Sequence, residues 1–242
     1  MTPYHKTFNM PKKEKITMLF DSIAPEYDRL NHLLSLDIDK TWRRRAVRRI
    51  VDRQCPLNIL DVACGTGDFT IAIARKAAPG SRITGLDLSE GMLGIGREKV
   101  CKAGLSGAVS LEQGDSEDIP YGEGSFDRIS VAFGVRNFEH LDKGLEEMFR
   151  VLKTGGKAVI LELSVPRNGI MLWLYKQYFL RILPMIGGKI SGDRAAYEYL
   201  PASVLRFPGP EKFKAIMEAA GFSDVRHKSF TFGICRMYTG VK

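Results

Sequence analysis

The stretch between residues 58 and 68 constrains the fold of this chain more than any other part of the sequence. It reads Asn-Ile-Leu-Asp-Val-Ala-Cys-Gly-Thr-Gly-Asp, an apolar run and a glycine-rich turn, and a periodic apolar segment follows it. A strand, a tight glycine turn and a helix in this order are typical of a nucleotide-binding α/β unit. Gly65 and Gly67 let the backbone turn sharply and approach a ligand without a Cβ atom in the way.

Three acidic residues follow three successive predicted strands. Asp61 and Asp87 end the first two strands, and Asp115 follows the third with Ser116 beside it. The carboxyl ends of parallel strands form the edge at which open α/β sheets bind ligands. There, Asp87 suits the two hydroxyls of a ribose, and Asp115 and the Ser116 N–H suit an adenine ring. Because the three residues Asp61, Asp87 and Asp115 are acidic and no basic residue accompanies them to bind a phosphate, they favour an adenosyl group that carries a sulfonium. A dinucleotide is less suited, because its Gly-x-Gly-x-x-Gly fingerprint requires a third glycine where this chain has Thr70.

The glycine turn and the three acids together resemble the class I S-adenosylmethionine-dependent methyltransferases. The resemblance implies S-adenosylmethionine as the methyl donor, no metal, and these cofactor-binding residues: Asp61, Gly65, Thr66, Gly67, Asp87, Asp115 and Ser116. Each mark alone also has a plain structural interpretation, because an acid after a strand is commonly a helix N-cap and Gly-Thr-Gly is a common turn. Their occurrence in order makes that interpretation the weaker one.

Regular alternation of strands and helices from residue 58 predicts an α/β fold, with a parallel sheet covered on both faces. Strands are predicted at 58–62, 82–87, 108–112, 126–133 and 157–163, and helices at 68–78, 90–103, 139–152 and 211–220. Two last strands, at 225–232 and 234–241, predict a terminal hairpin that resembles the antiparallel end of class I methyltransferase sheets. Gly155 and Gly156 are expected to cap the helix before them.

A chain of 242 residues fits one domain. We divide it into a helical cap (1–54), a cofactor-binding core (55–163), a helical lid (164–210) and a final helix and hairpin (211–242). The cap is expected to hold one helix that breaks at Pro25 and a second over residues 40–53. The apolar stretch 170–186 of the lid contains charges and is shorter than the roughly 20 apolar residues of a membrane span. It predicts an amphipathic segment that binds an apolar ligand or touches the bilayer, or one that only packs on the core.

The net charge of +8 is divided unevenly along the chain. Residues 55–162 carry 12 basic and 16 acidic side chains, whereas residues 1–54 carry 12 and 7. Basic flanks suit nucleic acid or an anionic membrane surface, and a solvated face without a partner is the alternative. Four unclustered cysteines and a polar N-terminus without a signal sequence favour the cytoplasm. The basic flanks leave peripheral contact at the inner face of the cell membrane open.

Two further segments carry a more specific resemblance. The segment 20–31, Phe-Asp-Ser-Ile-Ala-Pro-Glu-Tyr-Asp-Arg-Leu-Asn, and the phrase Phe-Gly-Val-Arg-Asn at 133–137 are similar to the UbiE/MenG family, the C-methyltransferases of ubiquinone and menaquinone biosynthesis. The similarity covers nearly the whole chain, and Leu36 departs from it where glycine is common. It implies methylation of a polyprenylated quinol, preferentially demethylmenaquinol, with the ubiquinone precursor as an alternative or second substrate. It also implies transient membrane contact and no nucleic acid, and leaves a homo-oligomer open.

Methylation of such a ring requires a carbon nucleophile. Carbon becomes nucleophilic when the adjacent hydroxyl loses its proton, so the site needs alignment, a proton route and stabilisation of the phenolate. The resemblance implies that Arg136, which stays charged, stabilises the phenolate and that Asn137 orients the hydroxyl or a water. Asp68 is a candidate base acting through water, or else a helix N-cap. His32 and His140 are rival bases because histidine titrates near neutrality.

Three other functions stay open. A nucleic-acid methyltransferase would suit the basic charge, but the chain lacks an Asn-Pro-Pro-Tyr type motif, and Cys55 precedes the first strand. A nicotinamide-dependent oxidoreductase is disfavoured by the missing third glycine. A catalytically silent assembly platform for quinone-pathway enzymes belongs to a different class, and methyl transfer by the purified chain would exclude it.

Overall fold

The computed structural model describes residues 12–35, 37–178 and 194–242. The side chains of residues 30, 32–34 and 194–198 are not part of the description. Residues 1–11, Leu36, the side chain of His32 and the second half of the predicted apolar lid therefore lie outside it.

The described residues form one seven-stranded sheet in the order β3-β2-β1-β4-β5-β7-β6. The strands are β1 Asn58–Val62, β2 Arg82–Asp87, β3 Val109–Gln113, β4 Phe126–Ala132, β5 Leu152–Leu163, β6 Ser223–Phe230 and β7 Cys235–Val241. Strands β1 to β5 pair in parallel, and β7 lies antiparallel between β5 and β6. The predicted α/β fold and its terminal hairpin are confirmed. The strand order reverses between β1 and β4, which is where such sheets open a ligand crevice.

Helices cover both faces of this sheet, as predicted. They are α1 Lys12–Leu34, α2 Ile38–Ile50, α3 Asp68–Ala74, α4 Glu90–Lys102, α5 Leu141–Val151, α6 Gly169–Gln177, α7 Arg194–Arg206 and α8 Pro210–Ala219. Neighbouring strand residues point to opposite faces, and Ile59 and Leu60 accordingly belong to two different apolar cores. The core around Ile59 includes α2, α3 and α4, and the core around Leu60 includes α5 and α8.

The expected break at Pro25 is wrong, because α1 is continuous from Lys12 to Leu34 with Pro25 inside it. Proline removes one backbone hydrogen bond from a helix and disturbs the preceding turn. Ile23 and Ala24, directly before the proline, are buried together with Ile16. Tertiary packing of this face therefore outweighs the local penalty.

The expected helix cap at the glycine pair is also wrong. Helix α5 ends at Val151, and β5 begins at the next residue and runs through both glycines. Gly155 has a φ of 76° and donates its N–H to the Lys242 carbonyl over 2.8 Å. The glycine thus serves an irregular stretch at the start of a long strand, and its left-handed φ explains why glycine stands there.

Helix α6 is the described part of the predicted amphipathic lid. Its Tyr175 is buried, whereas Ile170, Trp173 and Leu174 are exposed on the other side. Of the helices in the described ranges, none is both long and apolar enough to cross a bilayer.

Candidate active site

The loops that follow four parallel strands surround one cavity, here called the first cavity. It holds about 890 Å³ of empty space within and at its mouth. Its walls are residues 63–66 after β1, 86–89 in β2 and after it, 114–117 after β3, and 132–134 after β4. Helix α1 adds a roof through Lys13, Ile16, Thr17 and Phe20.

Five of the seven predicted cofactor residues line the first cavity: Gly65, Thr66, Asp87, Asp115 and Ser116. Asp87 supports the glycine turn, because its Oδ2 accepts the Gly65 N–H over 2.7 Å and its Oδ1 accepts the Ser89 N–H over 2.9 Å. Burial raises the pKa of Asp87, and these N–H donors oppose the rise. A Cβ atom on Gly65 would meet no atom within 4 Å, so this glycine faces open space.

Asp61 and Gly67, the other two predicted cofactor residues, do not line the first cavity. The carboxylate of Asp61 is buried beneath the glycine turn and accepts the hydroxyls of Thr70 over 2.6 Å and Ser130 over 2.7 Å. Burial raises its pKa to about 6, and the two hydroxyl donors oppose that rise. Gly67 is the N-cap of α3, with a φ of 76°. The geometry therefore places both residues in the support of the turn, and it explains the threonine at position 70.

Charged residues of α1 form ion pairs and hydrogen bonds with the loops that follow β1, β2 and β3. They stand seven or eight residues apart, about two helical turns, and thus on one face. The contacts join Lys13 to Asp115 and Glu117, Asp21 to Ser89 and Gly91, and Asp28 to Thr66 and Lys99. They reach the loops after β3, β2 and β1 in turn. This set was not predicted, although its spacing is visible in the sequence.

A second cavity of about 1000 Å³ adjoins the first. Its apolar walls come from Ile38, Trp42, Leu163, Tyr178, Leu200 and Ile234. Tyr27, Arg43 and Phe133 line both cavities and mark the junction. Phe133 has a φ of 62°, an unfavourable conformation for a residue other than glycine, and such strain is frequent at functional sites.

Arg136 lines the second cavity in an ion pair that the sequence pattern did not predict. Its Nη1 lies 2.8 Å from Glu162 Oε1, with 5% of the arginine side chain and none of the glutamate exposed. Its Nε donates to the Ser203 hydroxyl over 3.3 Å. Burial alone would lower the pKa of Arg136, but the neighbouring Glu162 charge raises it. Glu162 stands inside the apolar run of β5, and a buried charge needs a partner of opposite charge. The sequence therefore contained a signal for a buried ion pair.

Of the other residues that were predicted to take part in catalysis, Asn137 and Asp68 line the first cavity and His140 lies at the surface. Asn137 lines the first cavity, and its Oδ1 accepts the Tyr199 hydroxyl over 3.0 Å. Asp68 also lines it, forms an ion pair with Lys99, and follows the N-cap as the first residue of α3. His140 is 65% exposed beside Glu117 and borders neither cavity, so the geometry disfavours it as a base.

Tyr27 is a residue of this site for which the sequence predicted no role. Burial raises the pKa of its phenol, and the positive charges of Arg136 and Arg43 oppose the rise. Tyr27 lines both cavities at their junction. The segment 20–31 resembles the family as a whole, and that resemblance did not single out Tyr27 within it.

Comparison with known proteins identifies the family. The profile of the ubiE/COQ5 methyltransferase family matches residues 9–242. The ubiquinone/menaquinone biosynthesis C-methyltransferase UbiE of Geobacter sulfurreducens is 48% identical over 231 residues, which are 96% of this chain and 90% of that protein. The demethylmenaquinone methyltransferase of Bacteroides fragilis is 47% identical over 231 residues, 96% of this chain and 94% of that protein.

A solved structure supports the fold. The phosphoethanolamine N-methyltransferase 2 of Haemonchus contortus, in complex with S-adenosylmethionine, matches with a TM-score of 0.61 at 17% identity, covering 84% of this chain and 52% of that chain. This likeness shows the class I methyltransferase fold alone. Because the family profile and both relatives match over nearly the whole length, the chain belongs to the ubiE/COQ5 methyltransferase family.

Proposed function

We propose that this enzyme transfers a methyl group from S-adenosylmethionine to a ring carbon of demethylmenaquinol. The observation that carries the proposal is the junction of an acid-lined loop cavity with an apolar cavity at Tyr27, Arg43 and Phe133. The names of the two relatives support a quinol as the substrate class. The benzoquinol precursor of ubiquinone is the second candidate, because one relative is named for both pathways.

The first cavity fits S-adenosylmethionine, which supplies an electrophilic methyl group on a sulfonium. Asp87, Asp115 and Ser116 line this cavity, which supports assigning Asp87 to the ribose hydroxyls and Asp115 and Ser116 to the adenine. Gly65 leaves open space where any other residue would carry a Cβ atom. The carboxylates in the lining also suit a ligand with a positive charge.

The second cavity would hold the quinol ring, with Arg136 in its own lining and Asn137 in the lining of the adjoining first cavity. Because Tyr199 donates to the Asn137 Oδ1, the amide N–H groups of Asn137 remain for the ring hydroxyl or a water. Arg136 forms an ion pair with Glu162. In this proposal, Glu162 holds the guanidinium in position, and the guanidinium stabilises the phenolate. Asp68 is retained as the proton acceptor through water.

The decisive experiment is methyl transfer from labelled S-adenosylmethionine to reduced demethylmenaquinol by the purified chain. The benzoquinol precursor of ubiquinone is assayed in parallel, and RNA is added as a competitor. Label in menaquinol alone is the expected result. Label in both quinols would mean a dual-pathway enzyme, and label in neither, despite binding of S-adenosylmethionine, would reject the substrate.

We also propose that the enzyme works in the cytoplasm and takes its substrate at an anionic membrane surface. Arg45, Arg48, Arg49 and Lys228 line one shallow basic depression. Phe232, 76% exposed, lies in a turn with Thr231, which lines the second cavity. Phe230 also lines this depression, two residues before Phe232. Basic side chains and an exposed aromatic side chain on neighbouring segments suit a lipid interface, where a prenylated quinol resides.

Replacing Arg45, Arg48 and Arg49 together by glutamine should weaken binding to anionic vesicles at least roughly tenfold, because each basic residue contributes about 1 kcal/mol there. Cosedimentation with vesicles at low and high salt measures the effect. The matched control replaces Lys143, Lys212 and Lys214, which stand on α5 and α8 at the opposite sheet face. Equal loss in both variants would reject a specific docking face.

Gly96→Ala should weaken S-adenosylmethionine binding roughly tenfold with little loss of stability. A Cβ atom at Gly96 would lie 2.7 Å from Leu111 Cδ1 and 3.2 Å from the backbone carbon of Thr66, so the glycine turn must shift. Alanine favours the helix by about 1 kcal/mol, which offsets part of the strain. Calorimetry measures the affinity, with Gly94→Ala as the control, because a Cβ atom there meets nothing within 4 Å. Unchanged affinity in Gly96→Ala would show that the turn adapts.

A further inference from the structure

Arg43 is the cation among the three described residues that line both cavities. It stands on α2 and lines both cavities, with 14% of its side chain exposed. Its guanidinium lies over the Phe133 ring, 5.3 Å from the centroid, and its Nε is 3.4 Å from Asp39 Oδ2. The Ser35 hydroxyl donates to Asp39 over 2.7 Å and helps to hold that carboxylate. Asp39 and Phe133 thus hold Arg43 in the lining of both cavities.

The hydrogen-bonding capacity of Arg43 is left unused by the described part of the chain. Its Nε is buried without a hydrogen-bond partner, and the contacts of the side chain are the Asp39 ion pair and the Phe133 ring. A buried donor without an acceptor is unfavourable, and an arginine presents five donors in a planar fork. Arg136 differs in this respect, because Glu162 and the Ser203 hydroxyl already accept from its guanidinium. Arg43 is therefore suited to an oxyanion that arrives with a ligand.

We propose that Arg43 binds the α-carboxylate of S-adenosylmethionine, an inference that rests on the proposed function. The adenosyl part is assigned to Asp87, Asp115 and Ser116, so the amino-acid part must extend toward the opposite end of the first cavity. Arg43 lies over Phe133, in the loop after β4. In the sheet, β2 and β1 separate β4 from β3, the strand that leads to Asp115 and Ser116, so Arg43 stands at that end.

The charges in the cavity lining favour the same assignment. Lys13 and Arg43 are the cations among the described residues that line the first cavity. Lys13 is engaged at the adenine end by Asp115 over 2.6 Å and by Glu117 over 3.0 Å. Arg43 remains for the carboxylate, and a guanidinium binds a carboxylate through two parallel hydrogen bonds.

The test compares two ligands that differ in the carboxylate alone: S-adenosylhomocysteine and its decarboxylated form. Calorimetry of the wild-type chain should give tighter binding of S-adenosylhomocysteine. Arg43→Met should weaken that binding roughly 10- to 100-fold, the range of a charge-assisted pair, and leave the affinity for the decarboxylated form unchanged. Arg43→Lys should fall between the two, because lysine keeps the charge without the fork.

The control is Arg44→Met, because Arg44 is the neighbouring residue of α2 and is exposed. It should leave both affinities at the wild-type values. Equal affinity of the wild-type chain for the two ligands would overturn the proposal even if Arg43→Met failed to fold. Unchanged S-adenosylhomocysteine affinity in Arg43→Met, with a loss of turnover, would instead assign Arg43 to the quinol oxygen. Absence of binding of either ligand to the wild-type chain would reject the proposed function itself.

Discussion

Arg136→Met is expected to destabilise the folded state by about 3–5 kcal/mol, because it leaves the Glu162 carboxylate buried without its partner. The pair is enclosed, with none of the Glu162 side chain exposed and the two groups 2.8 Å apart. Urea unfolding of the variant measures this loss. Any loss of methyl transfer in Arg136→Met alone is therefore ambiguous, since a partly unfolded enzyme is also inactive.

The double variant Arg136→Met/Glu162→Gln separates stability from chemistry. Glutamine removes the unpaired charge, and its amide oxygen can still accept the Leu163 N–H, which Glu162 Oε1 accepts over 2.8 Å. The Arg136 N–H, which Glu162 Oε2 accepts over 3.2 Å, then loses its acceptor, because the other terminal group of glutamine is an NH₂ donor. We expect a large part of the lost stability to return and S-adenosylmethionine to bind normally. Turnover should stay reduced by about 100-fold or more, as after removal of a charge-stabilising donor. Wild-type turnover in the folded double variant would show that Arg136 serves the fold.

The alternation of strands and helices and the order of glycines and acids were enough to predict the sheet and the first cavity. They were not enough to predict which carboxylates face it. Asp61 and Asp87 both end strands, yet Asp61 turns beneath the glycine loop and Asp87 lines the cavity. That difference depends on hydroxyls from α3 and β4, which the local pattern around Asp61 does not reveal.

Helical periodicity alone would have placed Arg43 on the buried face of α2. Asp39, Arg43, Ala46 and Ile50 are spaced three or four residues apart and share one face of α2, and Asp39, Ala46 and Ile50 are buried. Charge alone groups Arg43 with the exposed arginines of this helix, and that grouping hides its place on the buried face. The break expected at Pro25 failed for a related reason, since long-range packing of α1 was invisible from the local rule.

The stability of this enzyme should fall between pH 4 and pH 7 by about 3 kcal/mol through Asp61 alone, because a tenfold change in proton affinity corresponds to about 1.4 kcal/mol. Burial raises the pKa of Asp61 from 3.8 to about 6 in the folded state. A raised pKa means that the folded state binds the proton more tightly than the unfolded state. The stabilisation is therefore complete below the unfolded pKa and is lost as the pH rises through about 6.

Asp61→Asn should remove this contribution, because the amide does not ionise. Its oxygen can accept from one of the two hydroxyls of Thr70 and Ser130, and its N–H can donate to the other once that hydroxyl rotates. Relative to the wild type, the variant should gain free energy of unfolding as the pH increases from 5 to 8. Urea unfolding at several pH values measures the difference. Asp52→Asn is the control, because backbone N–H groups of Gln54 and Cys55 lower the pKa of the half-buried Asp52 and keep it ionised throughout this range. A difference between Asp61→Asn and wild type that does not change with pH would mean that the buried carboxylate stays in one protonation state.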